Sequence, residues 1–269
     1  MLTSCRIRPI LYRVAILRES LGEPLTATWR YAQKTDFSQF VRHVLAFTYE
    51  SDIVELMIPF RNVENLAIWE EEGICSESLE ALDGLPLRRL SAFMSMELGE
   101  AINNCSTFKN LTHFEMLSLY GPDSNECKAL VELPKLSHLC FDFYVKDEIV
   151  PELLERCASL QVLIFRVDVD LHLMRTTKVD DPRYLVFYDP ADFDERISEW
   201  SRSAHGLLGC WELAEVIIEA RKNRHFKDNS SSDFSRKSWM TKLNDDGSRW
   251  YEEWSSRNRM AGGIPWAGW

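Results

Sequence analysis

LPKLSHLCFDF, residues 133–143, sets the phase of the whole chain. The same order of apolar and polar positions returns in FRNVENLAIWE from Phe60, LPLRRLSAF from Leu85, FKNLTHFEMLS from Phe108 and CASLQVLIFRV from Cys157. Aligned on the central apolar residue, the copies give Leu66, Leu90, Phe114, Leu139 and Leu163, in steps of 24, 24, 25 and 24 residues. Each centre sits in the frame apolar-x-x-apolar-x-apolar, as in Leu136, Leu139 and Phe141. The last two apolar positions alternate with polar ones, as a short half-buried strand requires.

Between these strands the spacing predicts short helices. SESLEALDGL (76–85) places Leu79 and Leu82 on one face and has Gly84 near its end. SNECKALVEL (124–133) and DEIVPELLERC (147–157) repeat the arrangement. A constant period of 20–29 residues carrying one strand and one helix is the signature of leucine-rich repeats, in which neighbouring units bury one another's apolar face. The expected fold is therefore α/β: an irregular leucine-rich-repeat-like solenoid of short parallel strands and helices. Position five after each centre holds Glu71, Ser95, Leu119, Tyr144 and Asp168 rather than Asn or Cys, so no buried asparagine ladder is expected.

The pattern weakens at both ends. Upstream, FVRHVLAF centres on Val44, and LYRVAIL (11–17) reads as a further strand. Downstream, RYLVFYD puts Phe187 a step of 24 beyond Leu163. DERISEWSRSA (194–204) and CWELAEVIIEARKNR (210–224) are amphipathic helices, expected to cap the open end. The rest is polar but carries Trp239, Trp250, Trp254, Trp266 and Trp269. Four regions follow: a leading segment 1–36, the repeats 37–190, C-terminal capping helices 191–225, and a largely disordered tail 226–269. Trp250 and Trp254, one helical turn apart, give that tail an alternative reading as a docking motif.

Composition narrows the function. The net charge of −11 and pI near 5.1 argue against nucleic acid, whose binding rests on Lys and Arg neutralising phosphates. No stretch approaches the length of an apolar membrane span. Seven cysteines without a C-x-x-C and without a secretory signal read as reduced core thiols, so a cytoplasmic or nuclear location is expected. No phosphate-cradling glycine loop, nucleophile elbow or zinc-protease motif is present, so neither an enzyme nor a cofactor is expected. A metal site at His113, His138, Glu115 and Cys140 competes with the simpler reading of sheet histidines.

The chain resembles the basidiomycete-type F-box proteins with degenerate leucine-rich repeats. CRIRPILYRVAIL, FVRHVLAF, FRNVENLAIW, LPLRRLSAF, FKNLTHFEM, LPKLSHLCF, CASLQVLIF, DPRYLVFYDP and CWELAEVIIEAR carry the resemblance in that order. It implies a fungal ubiquitin-ligase substrate receptor, in which repeats recruit a protein partner and an F-box binds a Skp-type adaptor. The chain opens where the F-box motif would be ending, so adaptor binding is not expected of it. The alternative is a truncated or decayed paralogue with no independent activity.

Partner binding is expected on the concave sheet face, where the x positions form columns. One reads Asn65, Arg89, His113, His138, Val162; the other reads Trp69, Phe93, Leu117, Asp142, Arg166. Trp69, Arg89, Phe93, His113, His138, Asp142 and Arg166 are the candidate contacts, aromatic and Arg anchors being typical of interface hot spots. If they are exposed, Trp69→Ala with Phe93→Ala should lower partner capture without unfolding. The alternative is that the leading segment or the tryptophan tail covers them.

Overall fold

The computed structural model describes residues 13–18, 36–47, 57–69, 74–94, 98–117, 124–142, 149–167, 179–188, 193–235 and 238–260. Its nine strands form one all-parallel sheet in strict chain order. They are β1 (Val14–Arg18), β2 (His43–Phe47), β3 (Asn65–Ile68), β4 (Arg89–Phe93), β5 (His113–Leu117), β6 (His138–Phe141), β7 (Val162–Val167), β8 (Tyr184–Tyr188) and β9 (Asp233–Phe234). Parallel neighbours need a crossover of a dozen or more residues. From β3 to β7 that crossover carries α1 (Ser76–Leu82), α2 (Leu98–Asn104), α3 (Ser124–Val131) and α4 (Ile149–Arg156) in turn. Helix α2, which the sequence reading left out, is followed by a 3-10 turn over Ser106–Asn110.

The predicted centres stack in register. Val44, Leu66, Leu90, Phe114, Leu139 and Leu163 pair one to the next and are all buried. Residues two further on, Ala46 to Phe165, share their face, and helices α1–α4 add Leu79, Leu82, Leu98, Ile102, Leu130 and Leu153 to that core. Helices of only seven or eight residues are marginal alone. This burial is what holds them. Gly84, at φ +77°, ends the first of them just before Pro86, in a conformation that disfavours any side chain with a Cβ.

With no asparagine ladder, backbone links the units. The carbonyl of Arg42 accepts the N–H groups of Glu64 and Asn65 at 2.8 and 3.0 Å. Glu64 does the same for Arg88 and Arg89, and Arg88 for Thr112 and His113, again at 2.8 and 3.0 Å. Thr112 and Ser137 continue the series into β6 and β7.

The expected register fails at β8. Leu163 pairs with Tyr184, not with Phe187 as the spacing of 24 predicts; Phe187 pairs with Arg166. An odd shift exchanges the faces of a strand. Tyr-Leu-Val-Phe-Tyr is apolar throughout, so its alternation could not say which face was which. Leu185 and Phe187 turn to the second face of the sheet and join a different core.

That second face is where the C-terminal helices lie. Helix α5 (Phe193–Ala204) packs Trp200 and Ala204 against Leu45, Phe47, Ala67, Trp69 and Leu117. Helix α6 (Cys210–Lys222) packs Leu213, Ala214, Ile217 and neighbours against Cys140, Val162, Ile164, Leu185 and Phe187. The two helices expected to cap the end instead cover the sheet. Their pattern says that one face is buried, and the sheet's second face is apolar enough to receive it. From the basic run that closes α6, Arg221 is buried and donates to the carbonyls of Asp181, Pro182 and Tyr184 at 3.1, 3.0 and 2.9 Å.

Residues 226–235 and 238–260 also form elements, unlike the expected tail. Strand β9 pairs with β8, Phe226 bridges Leu243, and Trp239 is buried. Helix α7 (Asp245–Met260) sets Trp250, Tyr251 and Trp254 against the same core as α6. The Asn244 side chain accepts the Gly247 N–H at 2.8 Å and caps it. A Cβ at Gly247 would meet the His225 carbonyl oxygen at 2.2 Å, so the close approach of these segments depends on glycine. Trp266 and Trp269, like most of the leading segment, lie outside the described residues.

Candidate interaction face

Register places the sequence-derived columns as expected. His43, Asn65, Arg89, His113, His138 and Val162 form one row across the second face of β2–β7. A middle row runs Leu45, Ala67, Ser91, Glu115, Cys140 and Ile164. Trp69, Phe93, Leu117, Asp142 and Arg166 follow at the C-terminal ends of their strands.

These columns are covered. Trp69 is 7% exposed, Arg166 6% and His138 4%, while Arg89, Phe93, His113 and Asp142 are half-buried. Among the described residues the cover comes from α5 and α6. Trp69→Ala with Phe93→Ala would therefore act first on stability, contrary to the expectation drawn from an exposed column.

Beneath α5 the contacts are polar and continuous. Trp69 Nε1 donates to Ser91 Oγ at 2.9 Å, and Ser91 Oγ donates to Glu115 Oε2 at 2.6 Å. Arg166 donates to Glu115 at 2.7 Å and, with its other terminal nitrogen, to Glu199 of α5. Arg196, also on α5, donates to Asp142 at 2.5 Å and to Glu115 at 3.4 Å, and its guanidinium lies 5.3 Å from the Trp69 ring centre. Burial pushes the Glu115 carboxyl upward, but Arg166, Arg196 and the Ser91 hydroxyl outweigh it and hold the group below its ordinary range. Asp142 goes the other way: burial raises it despite Arg196. A carboxylate held ionised between two arginines is a fixed charge rather than a proton donor. The seam is built to join surfaces.

A second joint lies at the start of α6. Arg89 donates to Ser203 and Glu212, both at 3.0 Å, and Ser203 donates to Glu212 at 3.0 Å. The His113 and His138 rings stack at 4.0 Å, with Trp211 edge-on to both. His138 Nε2 lies 3.1 Å from Glu215, a contact that lowers the Glu215 carboxyl. Among the described residues no three His, Cys, Asp or Glu side chains are placed to hold a metal ion, and Glu115 is taken by its arginines. Cys140 sits in the core beside α6, where burial drives its thiol well above its usual range.

The histidine row makes the joint acid-sensitive. Burial lowers His43 to about 4, helped by Arg13, Arg89, His205 and Arg42 around it. Burial lowers His113 to about 2, helped by His138 and Arg89. An unfolded histidine takes up its proton near pH 6.5, whereas these two resist it in the fold. Stability is then fully present above pH 6.5 and falls as pH drops toward 4, since the unfolded chain binds more protons there. Melting temperature measured from pH 7.5 to 4.5 should decline, and His43→Leu should flatten the decline. An identical slope in that variant would exclude His43 as its source.

Sequence reasoning missed Arg196, Glu199, Trp200, Trp211, Glu212 and Glu215. The available signal was Arg196, Glu199, Trp200 and Ser203 at the spacing i, i+3, i+4, i+7, which puts both charges and an indole on one helix face. Among the described residues no helix is long and apolar enough to cross a membrane. No family model, no curated protein and no solved structure matches this chain.

Proposed function

We propose that this chain is a protein-recognition module: an irregular leucine-rich-repeat-like solenoid serving as the substrate-receptor region of an F-box-type ubiquitin-ligase subunit. The observation that supports this reading is the repeated frame itself, one strand and one crossover per unit with Leu66, Leu90, Phe114, Leu139 and Leu163 stacked in register. In the second-face row beside those centres, Arg89, His113 and His138 are occupied by Trp211, Glu212 and Glu215 of the chain's own α6, so recognition falls to other positions of the frame. A constant frame that tolerates different side chains between its centres suits recognition of another protein. The reading does not require a Skp-type adaptor, and it assigns no chemical step.

The test is reconstitution. Proximity labelling with the tagged full chain in fungal cells would nominate partners, and each would be purified and titrated against the purified chain. One stoichiometric complex with a Kd at or below the micromolar range is the expected result. If none of the nominated proteins binds the folded chain, the recognition reading falls and the decayed-paralogue reading takes its place.

A further inference from the structure

We propose that α5 is a displaceable internal ligand, and that the shelf beneath it receives an amphipathic helix from a partner protein. This rests on the recognition reading above and names its site and the chemistry of its partner.

The two covering helices are held differently. Helix α6 buries eight residues, from Cys210 to Arg221, in a core shared with three strands and the C-terminal elements. Helix α5 buries only Glu199, Trp200 and Ala204 among its side chains described, and Asp194 and Ser198 face solvent. Its apolar contacts form a separate cluster on the β2–β5 part of the sheet. Most of what fixes α5 is polar: Arg196 to Asp142 and Glu115, Glu199 to Arg166, and Ser203 with Arg89 and Glu212. Ion pairs of this kind specify register and orientation more than they add net stability, because both charges give up water.

The fit beneath α5 is also incomplete. A cavity of about 30 Å³ remains among Trp69, Glu115, Arg166, Trp200 and Trp211, enough for a water or two. The Trp200 Nε1 and Arg196 Nε donors are buried without a partner. Unmet donors and a void are costs that a better-matched helix would not carry. At its C-terminal end α5 breaks at Gly206, φ +75°, before α6 begins, so the two are distinct helices joined by a short turn and tied by Ser203 to Glu212.

Helix α5 then describes its own replacement. The shelf presents the Trp69 ring and the apolar Leu45, Phe47 and Leu117, with the Glu115 and Asp142 carboxylates and the Arg166 guanidinium beside them. The complementary ligand is a helix carrying a guanidinium, a carboxylate three residues on and an aromatic ring at the next position, as Arg196, Glu199 and Trp200 do. This is helix-in-groove recognition with the charges fixing register.

Two measurements on the full chain test it. Hydrogen exchange should show the α5 amides exchanging at least ten-fold faster than those of α6. A fluorescein-labelled synthetic peptide with the sequence of residues 191–206 should then bind Trp200→Ala at least ten-fold more tightly than the wild-type chain, whose own helix competes. Arg196→Gln, which leaves the buried indole in place, serves if Trp200→Ala does not fold. The same peptide with alanine in place of its tryptophan should not bind. Equal protection of α5 and α6, or no peptide captured by either folded variant, overturns the proposal. Either result leaves recognition through another surface standing, because that reading is judged by the reconstituted partner and not by the peptide.

Discussion

Trp69→Ala should cost about 3–5 kcal/mol, the usual range for truncating a buried tryptophan. The indole is 7% exposed and does three things at once. It packs edge-on against Phe47 at 5.2 Å, it lies under the Arg196 guanidinium, and its N–H satisfies Ser91. For a chain of this size the loss corresponds to a fall in melting temperature on the order of 10 °C. Trp69→Phe keeps a ring on the shelf and loses the hydrogen bond, so it should cost nearer ~1 kcal/mol. Thermal melts of the two variants beside the wild type decide the matter. A Trp69→Ala chain that melts within 2 °C of wild type would mean that α5 does not close over this residue.

The ease with which Trp69 reads as an exposed anchor shows where sequence reasoning stops. Leu66, Leu90, Phe114, Leu139 and Leu163 were legible because a repeat writes the same burial five times, and register follows from phase. Whether the opposite face meets water or protein is not written in those strands. Ala67, Ser91, Glu115 and Cys140 are as compatible with a solvated face as with a covered one. The covering helices announce an apolar stripe, but a stripe does not name its counterpart. Glu199 finds Arg166 across 33 residues, and Arg196 finds Glu115 across 81. No local spacing encodes such pairs. Beyond residue 226, charge and serine outweighed the rings in composition, although Phe226, Phe234 and Trp239, with Trp250, Tyr251 and Trp254 packed against them, join its described part to the core. A few large rings can offset many polar neighbours, since each removes 150–250 Å² from water.

Arg166→Met should be as damaging as Trp69→Ala, for the opposite reason. Arg166 is a charge at 6% exposure, set between Glu115 on the sheet and Glu199 on α5. Its removal takes the shared cation from the buried Glu115 and Glu199 carboxylates, Glu115 keeping Arg196 and the Ser91 hydroxyl. Breaking such an arrangement from one side costs about 3–5 kcal/mol, whereas replacing all of its charges with apolar groups is often neutral. Arg166→Met combined with Glu115→Leu and Glu199→Leu should therefore recover most of the stability lost by the single variant. The pH dependence separates this account from simple loss of packing. In the wild type Glu115 is held below its ordinary value, so its contribution is present above about pH 4.5 and lost as pH falls through the lower folded value. Without Arg166, burial is opposed only by Arg196 and the Ser91 hydroxyl, so the folded value is expected to rise above the unfolded one and the sign to reverse. The deficit of Arg166→Met relative to wild type should then be largest at pH 7.5 and shrink by pH 5. The histidine row acts on both chains and cancels in that difference. Urea denaturation at the two pH values measures it directly. A deficit that does not change with pH would assign the cost to lost packing around the Arg166 stem and not to the carboxylates it joins.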